Sequence, residues 1–157
     1  MSGLARLLSQ SLPSRPKRRL KQVGGLCYRI SDKGEPDVLL ITTRETKRWT
    51  IPKGWPMNGL SSHKAAKQEA WEEAGVKGRV RMKPFGNFAY SKVLANGNAV
   101  PADVQVHLIK VRETRSFFPE RGQRELAWVS ASEASHRVDE PGLKKLFIKL
   151  ARRYSVG

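Results

Sequence analysis

The chain has 157 residues, with 30 Lys or Arg against 14 Asp or Glu, and its formal net charge of +16 indicates an anionic partner or substrate: nucleic acid, a membrane surface or a polyphosphate. A single cysteine excludes an intrachain disulfide framework and a Cys-rich metal site. The longest wholly aliphatic run, 38–41, is far shorter than the roughly 20 residues that span a bilayer, so we expect a soluble, single-domain protein that does not cross a membrane.

The N-terminal segment is basic and contains no acid. Residues 1–22 hold six Lys or Arg, with Ser and Pro interspersed, which is typical of a flexible tail. We therefore predict a basic flexible tail over 1–20 and one folded domain over 21–157. An acid-free start is also typical of an organellar transit peptide, but Pro13 and Pro16 leave room only for a short helix, and we expect a cytoplasmic location.

The remaining chain predicts alternating strands and helices. Apolar runs at 23–30 and 38–43, separated by a turn cluster, indicate two strands, and 49–51 is a third extended piece. Residues Ser62 to Ala74 predict a helix capped by Ser62 and ended by Gly75. The later elements, in order, are strand segments at 80–90, 100–111 and 126–129, a short helix at 130–136, and a final helix with an apolar stripe at Leu143, Leu146, Phe147 and Leu150. This order predicts an α+β fold with helices packed on a mixed sheet.

The first predicted helix carries three carboxylates on one face. Glu69, Glu72 and Glu73 stand at i, i+3 and i+4, where like charges repel one another. A Glu-rich face is commonly just solvated, but a hard divalent cation would remove the repulsion, and Mg²⁺ uses a few carboxylates together with phosphate oxygens. Small residues on another face would let the helix lie close to a sheet: Ala66, Ala70 and Ala74.

The loop before this helix gives the carboxylates a context. It reads Ile-Pro-Lys-Gly-Trp-Pro over 51–56, and together with the helix it resembles the box of the Nudix hydrolase family, G-x5-E-x7-R-E-U-x-E-E-x-G-U, with U a bulky aliphatic residue. The spacing holds over all 23 positions from Gly54 to Val76. The resemblance implies a Nudix-type α/β/α sandwich with a mixed β-sheet. It also implies metal-dependent hydrolysis of a diphosphate linkage, with Mg²⁺ or Mn²⁺ as the cofactor.

The same resemblance implies the roles of individual residues. The implied metal ligands are Gly54, through its carbonyl, and Glu69, Glu72 and Glu73. Glu69 or Glu73 would be the catalytic residue that orients or deprotonates the attacking water, and the sequence does not choose between them.

Three box positions depart from the family pattern. Leu60 replaces the first Glu, Gln68 replaces the Arg, and Ala70 replaces the bulky aliphatic residue. The loss of the Arg removes an ionic brace for the carboxylates. A non-catalytic, polyanion-binding Nudix domain is therefore one alternative.

Segments outside the box point to a branch and to a substrate. The segments 26–29, 39–44 and 48–52 resemble the diphosphoinositol polyphosphate phosphohydrolases, which implies inositol pyrophosphates or diadenosine polyphosphates as substrates. An RNA 5′-pyrophosphohydrolase is the alternative that the net charge suits, although the sequence shows no basic motif interleaved with aromatic residues for base stacking. The predicted phosphate-binding residues are Arg44, Arg48 and Lys53 beside the helix and, from the branch resemblance, Arg19 and Lys21.

Other basic and aromatic residues receive weaker predictions. Lys92, Arg121 and Arg124 are basic, but nothing in the sequence places them at the site. Trp55, beside Gly54, is predicted to line a pocket, whereas Tyr90 is predicted to be a strand aromatic of the core. The oligomeric state stays open.

Overall fold

The computed structural model describes residues 19–155. Within this range the chain forms eight strands and three helices, in the order β1 Leu20–Ile30, β2 Pro36–Thr42, β3 Trp49–Thr50, β4 Lys53–Gly54, α1 Ser62–Ala74, β5 Val76–Val80, β6 Gly86–Val93, β7 Ala99–Thr114, β8 Leu126–Ser130, α2 Ala131–Arg137 and α3 Pro141–Arg153. The predicted N-terminal tail lies almost entirely outside the described residues.

All eight strands belong to one mixed sheet. Its main path runs β3-β2-β1-β7-β5, and β4, β6 and β8 pair with β1, β7 and β2 respectively. The β1–β7 pair is parallel, from Leu20 opposite Ala102 to Tyr28 opposite Lys110, and the other pairs are antiparallel. This arrangement confirms the predicted α+β fold with a mixed sheet.

Helices cover both faces of the sheet. On one face, α1 packs through Ala70 and Ala74 against strand residues that include Cys27 and Ile109. On the other face, α2 and α3 bury the larger core, in which the apolar stripe of α3 is fully inaccessible at Leu143, Phe147 and Leu150. The result is the predicted α/β/α sandwich.

The close approach of α1 to the sheet depends on small residues from both sides. Ala66 and Ala70 are fully buried. Beneath them lies Gly25 of β1, where an added Cβ would come 3.3 Å from the Ala66 carbonyl oxygen and closer still to Ile109. The helix is therefore seated rigidly, which fixes where its acidic side can point.

The ends of α1 agree in part with the prediction. Gly75 ends the helix in the left-handed conformation, with φ of 69°, and its N–H donates to carbonyls of the last turn. The predicted cap at Ser62 is wrong, because Ser61 is the N-cap residue and Ser62 is already helical. The Ser62 hydroxyl instead bonds Nε2 of the buried His107 on β7, at 3.0 Å.

Several strands differ from the prediction. The segment predicted at 80–90 forms β6 only from Gly86 to Val93, and the short β4 lies within the predicted loop. β1 begins at Leu20, earlier than the apolar run, because its polar first residues pair with β7. β5 was not predicted as a separate strand, because its exposed Lys77 and Arg79 and its Gly78 hide the alternation. No helix among residues 19–155 is long and apolar enough to cross a membrane.

Candidate active site

A cavity of about 310 Å³ lies where α1, β4 and β6 meet two loops, the one after β2 and the one between β7 and β8. Its charged lining residues are Arg44, Glu45, Arg48, Lys53, Glu69, Glu73, Lys92, Glu120 and Arg124. Carboxylates from the helix thus face cations from four other segments.

Glu69 and Glu73 are the acidic centre of the cavity. They lie one turn apart on α1, and their carboxyl groups hydrogen-bond each other. Burial raises the pKa of both groups, that of Glu73 to about 9, and the Glu69–Glu73 hydrogen bond adds to the rise at Glu73. Glu73 is only 4% exposed, so its negative charge needs a positive neighbour to persist.

The short strand β4 holds these carboxylates from the other side. The Lys53 backbone N–H donates to Oε2 of Glu73 at 3.1 Å. A Cβ at Gly54 would overlap the carboxylate of Glu69, so only glycine allows Glu69 to approach the backbone there. Burial lowers the pKa of the Lys53 side chain to about 8, with Glu73 acting in the opposite direction. The sequence Lys53-Gly54 therefore sets both acids in place.

Arg124 supplies a cation that sequence reasoning did not place. Its Nη2 lies 3.3 Å from Oε1 of Glu73 and 3.1 Å from Oε1 of Glu120, and its side chain is 11% exposed. The loop that carries both residues folds back onto α1, because the Glu120 N–H donates to the Glu72 carbonyl at 2.9 Å. Arg124 thus gives Glu73 the ionic brace that Gln68 does not provide within the box.

Glu72 points to a different partner. Its Oε1 accepts a hydrogen bond from Nε2 of Gln68 at 3.2 Å, and Glu72 is not among the residues that line the cavity. In the part of the chain that the structure describes, no three His, Cys, Asp or Glu side chains are arranged as a metal site. The structure therefore brings together two of the three predicted carboxylate ligands.

The donor set still fits a hard divalent cation. Glu73 offers a buried carboxylate and Glu69 a half-buried one, and Glu45 and Glu120 add two further acids to the cavity wall. Oxygen ligands of this kind suit Mg²⁺ or Mn²⁺, and a positive ion would oppose the rise in pKa that burial causes.

Three of the predicted phosphate-binding residues line the cavity: Arg44, Arg48 and Lys53. Thr43 orders the loop that carries the two arginines, because its hydroxyl accepts a hydrogen bond from the Arg48 N–H at 3.0 Å. Arg44 donates to Gln123 at 3.1 Å, and Arg48 lies 3.7 Å from Asp139. Both arginines thus reach the cavity from its exposed rim.

Arg19 and Lys21 lie elsewhere. Arg19 forms a bidentate pair with Asp103 on β7, at 2.7 and 2.8 Å, and Lys21 lies 3.6 Å from the same carboxylate. Neither residue lines the cavity. The structure does not bring these two predicted phosphate-binding residues to the acidic pair.

Two aromatic rings complete the wall. Trp55 lines the cavity as predicted, with the Lys92 Nζ 5.6 Å from its ring centroid. Tyr90 packs partly against the core, as predicted, but it also lines the cavity, and the Lys53 Nζ lies 4.8 Å from its ring centroid. Arg121 instead covers the ring of Phe117 and does not line the cavity.

A model of the NUDIX domain matches residues 20–150. The chain belongs to the Nudix family. Among curated relatives, it is 30% identical over 105 residues to Nudix hydrolase 13, mitochondrial, of Arabidopsis thaliana, which covers 62% of this chain and 50% of that protein. Nudix hydrolase 18, mitochondrial, of the same plant is 29% identical over 147 residues, covering 89% of this chain and 81% of the relative. The chain thus spans about half the length of the first of these Nudix relatives.

Solved Nudix structures share the fold. A Caenorhabditis elegans Ap4A hydrolase, in a binary complex, superposes with a TM-score of 0.62 at 20% identity, covering 85% of this chain and 96% of that one. The NUDIX domain of Shewanella oneidensis NrtR, complexed with ADP ribose, has a TM-score of 0.61 at 14% identity, covering 95% and 96%. At these identities the likeness concerns the fold alone.

Proposed function

We propose that this protein is a metal-dependent Nudix pyrophosphohydrolase, which cleaves a diphosphate linkage in a highly phosphorylated small molecule by attack of water on phosphorus. The observation that carries the proposal is the single cavity in which Glu69 and Glu73 face Arg44, Arg48 and Lys53. Membership of a family whose curated relatives are named hydrolases supports it.

The acidic pair would hold the cofactor. Nudix hydrolases generally use divalent metals. Here Glu69, Glu73 and the Gly54 carbonyl are the proposed ligands. Glu72 is a further ligand that the box predicts, but it does not line the cavity. When bound, Mg²⁺ or Mn²⁺ would neutralise diphosphate oxygens and make water more acidic.

The protein's own residues then divide the work. Glu69 or Glu73 accepts the proton of the attacking water, which is general base catalysis. Arg44, Arg48 and Lys53 offset the negative charge that collects on the leaving phosphate. Arg124 keeps Glu73 oriented through their 3.3 Å contact. Proton acceptor and cations are thus fixed before the substrate arrives, which lowers the cost of positioning.

Two classes of small substrate suit this cavity. Inositol pyrophosphates would use its many cations, and diadenosine polyphosphates would also use the rings of Trp55 and Tyr90. The fold shared with the Caenorhabditis elegans Ap4A hydrolase supports the second class, and the branch resemblance supports both. We keep both as candidates within one proposed reaction.

The test is phosphate release from a panel of substrates. The full chain is incubated with Mg²⁺ and, separately, with an inositol pyrophosphate, a diadenosine polyphosphate or a 5′-triphosphate RNA. We expect Mg²⁺-dependent turnover of at least one small substrate, with a kcat/KM above that for the RNA. Preferred turnover of the RNA would make the protein an RNA 5′-pyrophosphohydrolase, and binding of all three without turnover would make it a non-catalytic polyanion-binding domain. The cytoplasmic location stays a prediction.

A further inference from the structure

A second concave surface lies on the far side of α1 from the proposed active site. It is a groove of about 590 Å³ between α1 and the edge strand β5, and it shares no lining residue with the catalytic cavity. At 100° per residue, Lys67 and Trp71 each lie about 160° around the helix from Glu69. We call this surface the edge groove, lined by Leu60, Lys64, Lys67, Gln68, Trp71, Val76, Lys77, Gly78, Arg112 and Glu113.

The edge groove is strongly cationic. Lys64, Lys67 and Arg112 are exposed and form no ion pair with other residues of 19–155. The one acid in the lining, Glu113, is held by Arg115 at 3.1 Å. The groove therefore presents an excess of free positive charge, which is complementary to a polyanion.

Trp71 adds an aromatic surface among the cations. It is half-buried, and the Nζ of Lys77 lies 4.9 Å from its ring centroid. A basic groove with an aromatic platform is the combination that binds single-stranded nucleic acid, because the cations follow the phosphates and a base stacks on the ring. Lys64, Lys67 and Trp71 lie at i, i+3 and i+7 on one side of α1, and the fold adds Arg112 of β7 beside them.

We propose that the edge groove is a binding site for single-stranded RNA, separate from the catalytic cavity. Lys64, Lys67 and Arg112 contact phosphates, and Trp71 stacks on a base. The site is independent of the proposed hydrolysis, because it uses none of the acidic residues. It allows the protein to stay on an RNA whether or not that RNA is a substrate.

The test measures binding without chemistry. The full chain is titrated into a fluorescein-labelled, uridine-rich RNA with a 5′-hydroxyl end, in the presence of a chelator, and fluorescence anisotropy gives Kd across a range of salt concentrations. We expect the double variant Lys64→Glu/Lys67→Glu to lower the slope of log Kd against log salt by about 1.4, since each single-strand phosphate contact contributes about 0.7. We expect Trp71→Leu to weaken binding about tenfold and Trp71→Phe to preserve most of it.

A charge-matched control separates the groove from the general positive field. The double variant Lys33→Glu/Arg152→Glu changes the net charge equally, at the β1–β2 turn and at the end of α3. We expect it to change Kd less than twofold, and we expect every groove variant to keep wild-type turnover of the small substrate.

Three outcomes would overturn the RNA site: equal weakening by the control pair, indifference of binding to Trp71→Leu, or competition by poly-glutamate as effective as that by unlabelled RNA. The last would identify an acidic protein segment as the occupant. No measurement in the binding assay depends on hydrolysis. Failure of the RNA-site proposal is therefore distinguishable from failure of the proposed function.

Discussion

The chemistry of the cavity depends on how one buried carboxyl group is surrounded. Glu73 is 4% exposed, and it meets the Lys53 backbone N–H on one oxygen and Arg124 on the other. Hydrogen bonds and an ion pair keep the carboxylate oriented, while burial and the Glu69 carboxyl group raise its pKa. The site is thus prepared for a cation. A bound cation would favour the charged form of Glu73 and oppose the rise in its pKa.

Replacing Glu73 by Gln should stop catalysis without unfolding the protein. The amide has nearly the same shape as the carboxyl group, but it can neither accept a proton from water nor carry the charge that a cation needs. We expect Glu73→Gln to lower kcat by about 10²- to 10⁴-fold, the range typical for loss of an acid–base group. Steady-state phosphate release with Mg²⁺ measures this, and circular dichroism checks the fold.

A matched substitution provides the control for Glu73→Gln. Glu133 is also helical, but it is exposed on α2, where it pairs with Arg137. Glu133→Gln should leave kcat unchanged. Turnover by Glu73→Gln at the wild-type rate would remove Glu73 from both its catalytic and its metal-binding role.

At the scale of elements, the sequence predicts best where a segment carries its own signal. The helix Ser62–Ala74 agrees with the prediction except at its N-cap, because Gly75 supplies a left-handed stop and the alanines supply a face for the sheet. β5 gave no such signal, since an edge strand can expose Lys77 and Arg79 and is specified by its partner β7 instead. Local patterns therefore fixed the helix, and tertiary pairing decided the strand.

The same limit applies to the active site. The box residues were predicted because their spacing is local, whereas Glu120 and Arg124 reach the cavity only because their loop hydrogen-bonds to the end of α1. Arg19 and Lys21 illustrate the converse, because both pair with an acid distant in sequence, Asp103, and neither lines the cavity. Contacts across such sequence separations leave no periodicity that a single sequence can reveal.

The first turn of α1 is tied to the sheet by a pH-sensitive contact. His107 on β7 is fully buried, its Nδ1 donates to the Arg81 carbonyl at 2.9 Å, and its Nε2 contacts the Ser62 hydroxyl. A carbonyl can only accept, so the proton of the neutral ring is on Nδ1 and Ser62 donates to Nε2. Burial lowers the pKa of His107, which favours this neutral form.

Folding stability should therefore depend on pH through His107. An unfolded histidine titrates near pH 6.5, above the folded-state value, so the unfolded chain takes up the proton first as the pH falls. The contribution of neutral His107 to the free energy of unfolding is fully present above about pH 6.5. This contribution is lost as the pH falls through the pKa of His107 in the folded protein. Urea unfolding at pH 8 and at pH 5 gives the free energy of unfolding at each pH. The decrease in this free energy from pH 8 to pH 5 should be larger for the wild type than for His107→Gln. His136→Gln, at an exposed helical position, should behave like the wild type.

At the scale of the whole molecule, the net charge of +16 is divided among separate surfaces. Six of the positive charges lie in residues 1–22, and the remaining +10 belongs to 23–157. Within that part, α1 separates two cationic surfaces, because its acidic side meets the cations of the catalytic cavity and its opposite side carries the edge groove. One helix thus organises two sites for phosphate-bearing ligands.

This uneven charge predicts how anions stabilise the fold. Added NaCl should raise the melting temperature slightly, since screening weakens the repulsion between like charges. Inorganic tripolyphosphate at equal ionic strength should raise it further, because a ligand at 100 times its Kd contributes about 2.7 kcal/mol, which corresponds to roughly 5–10 °C for a chain of this size. Differential scanning fluorimetry compares the two salts.

Two variants assign that extra stabilisation to a surface. Arg44→Gln/Arg48→Gln removes two cations from the rim of the catalytic cavity, and Lys33→Gln/Arg152→Gln removes two from elsewhere. Because a short polyphosphate resembles the proposed substrates, the first pair should lose most of the tripolyphosphate effect and the second pair should keep it. An equal loss of the tripolyphosphate effect in both pairs would mean that tripolyphosphate acts through the net positive charge of the whole protein. The cavity would then have no preference for a linear phosphate chain.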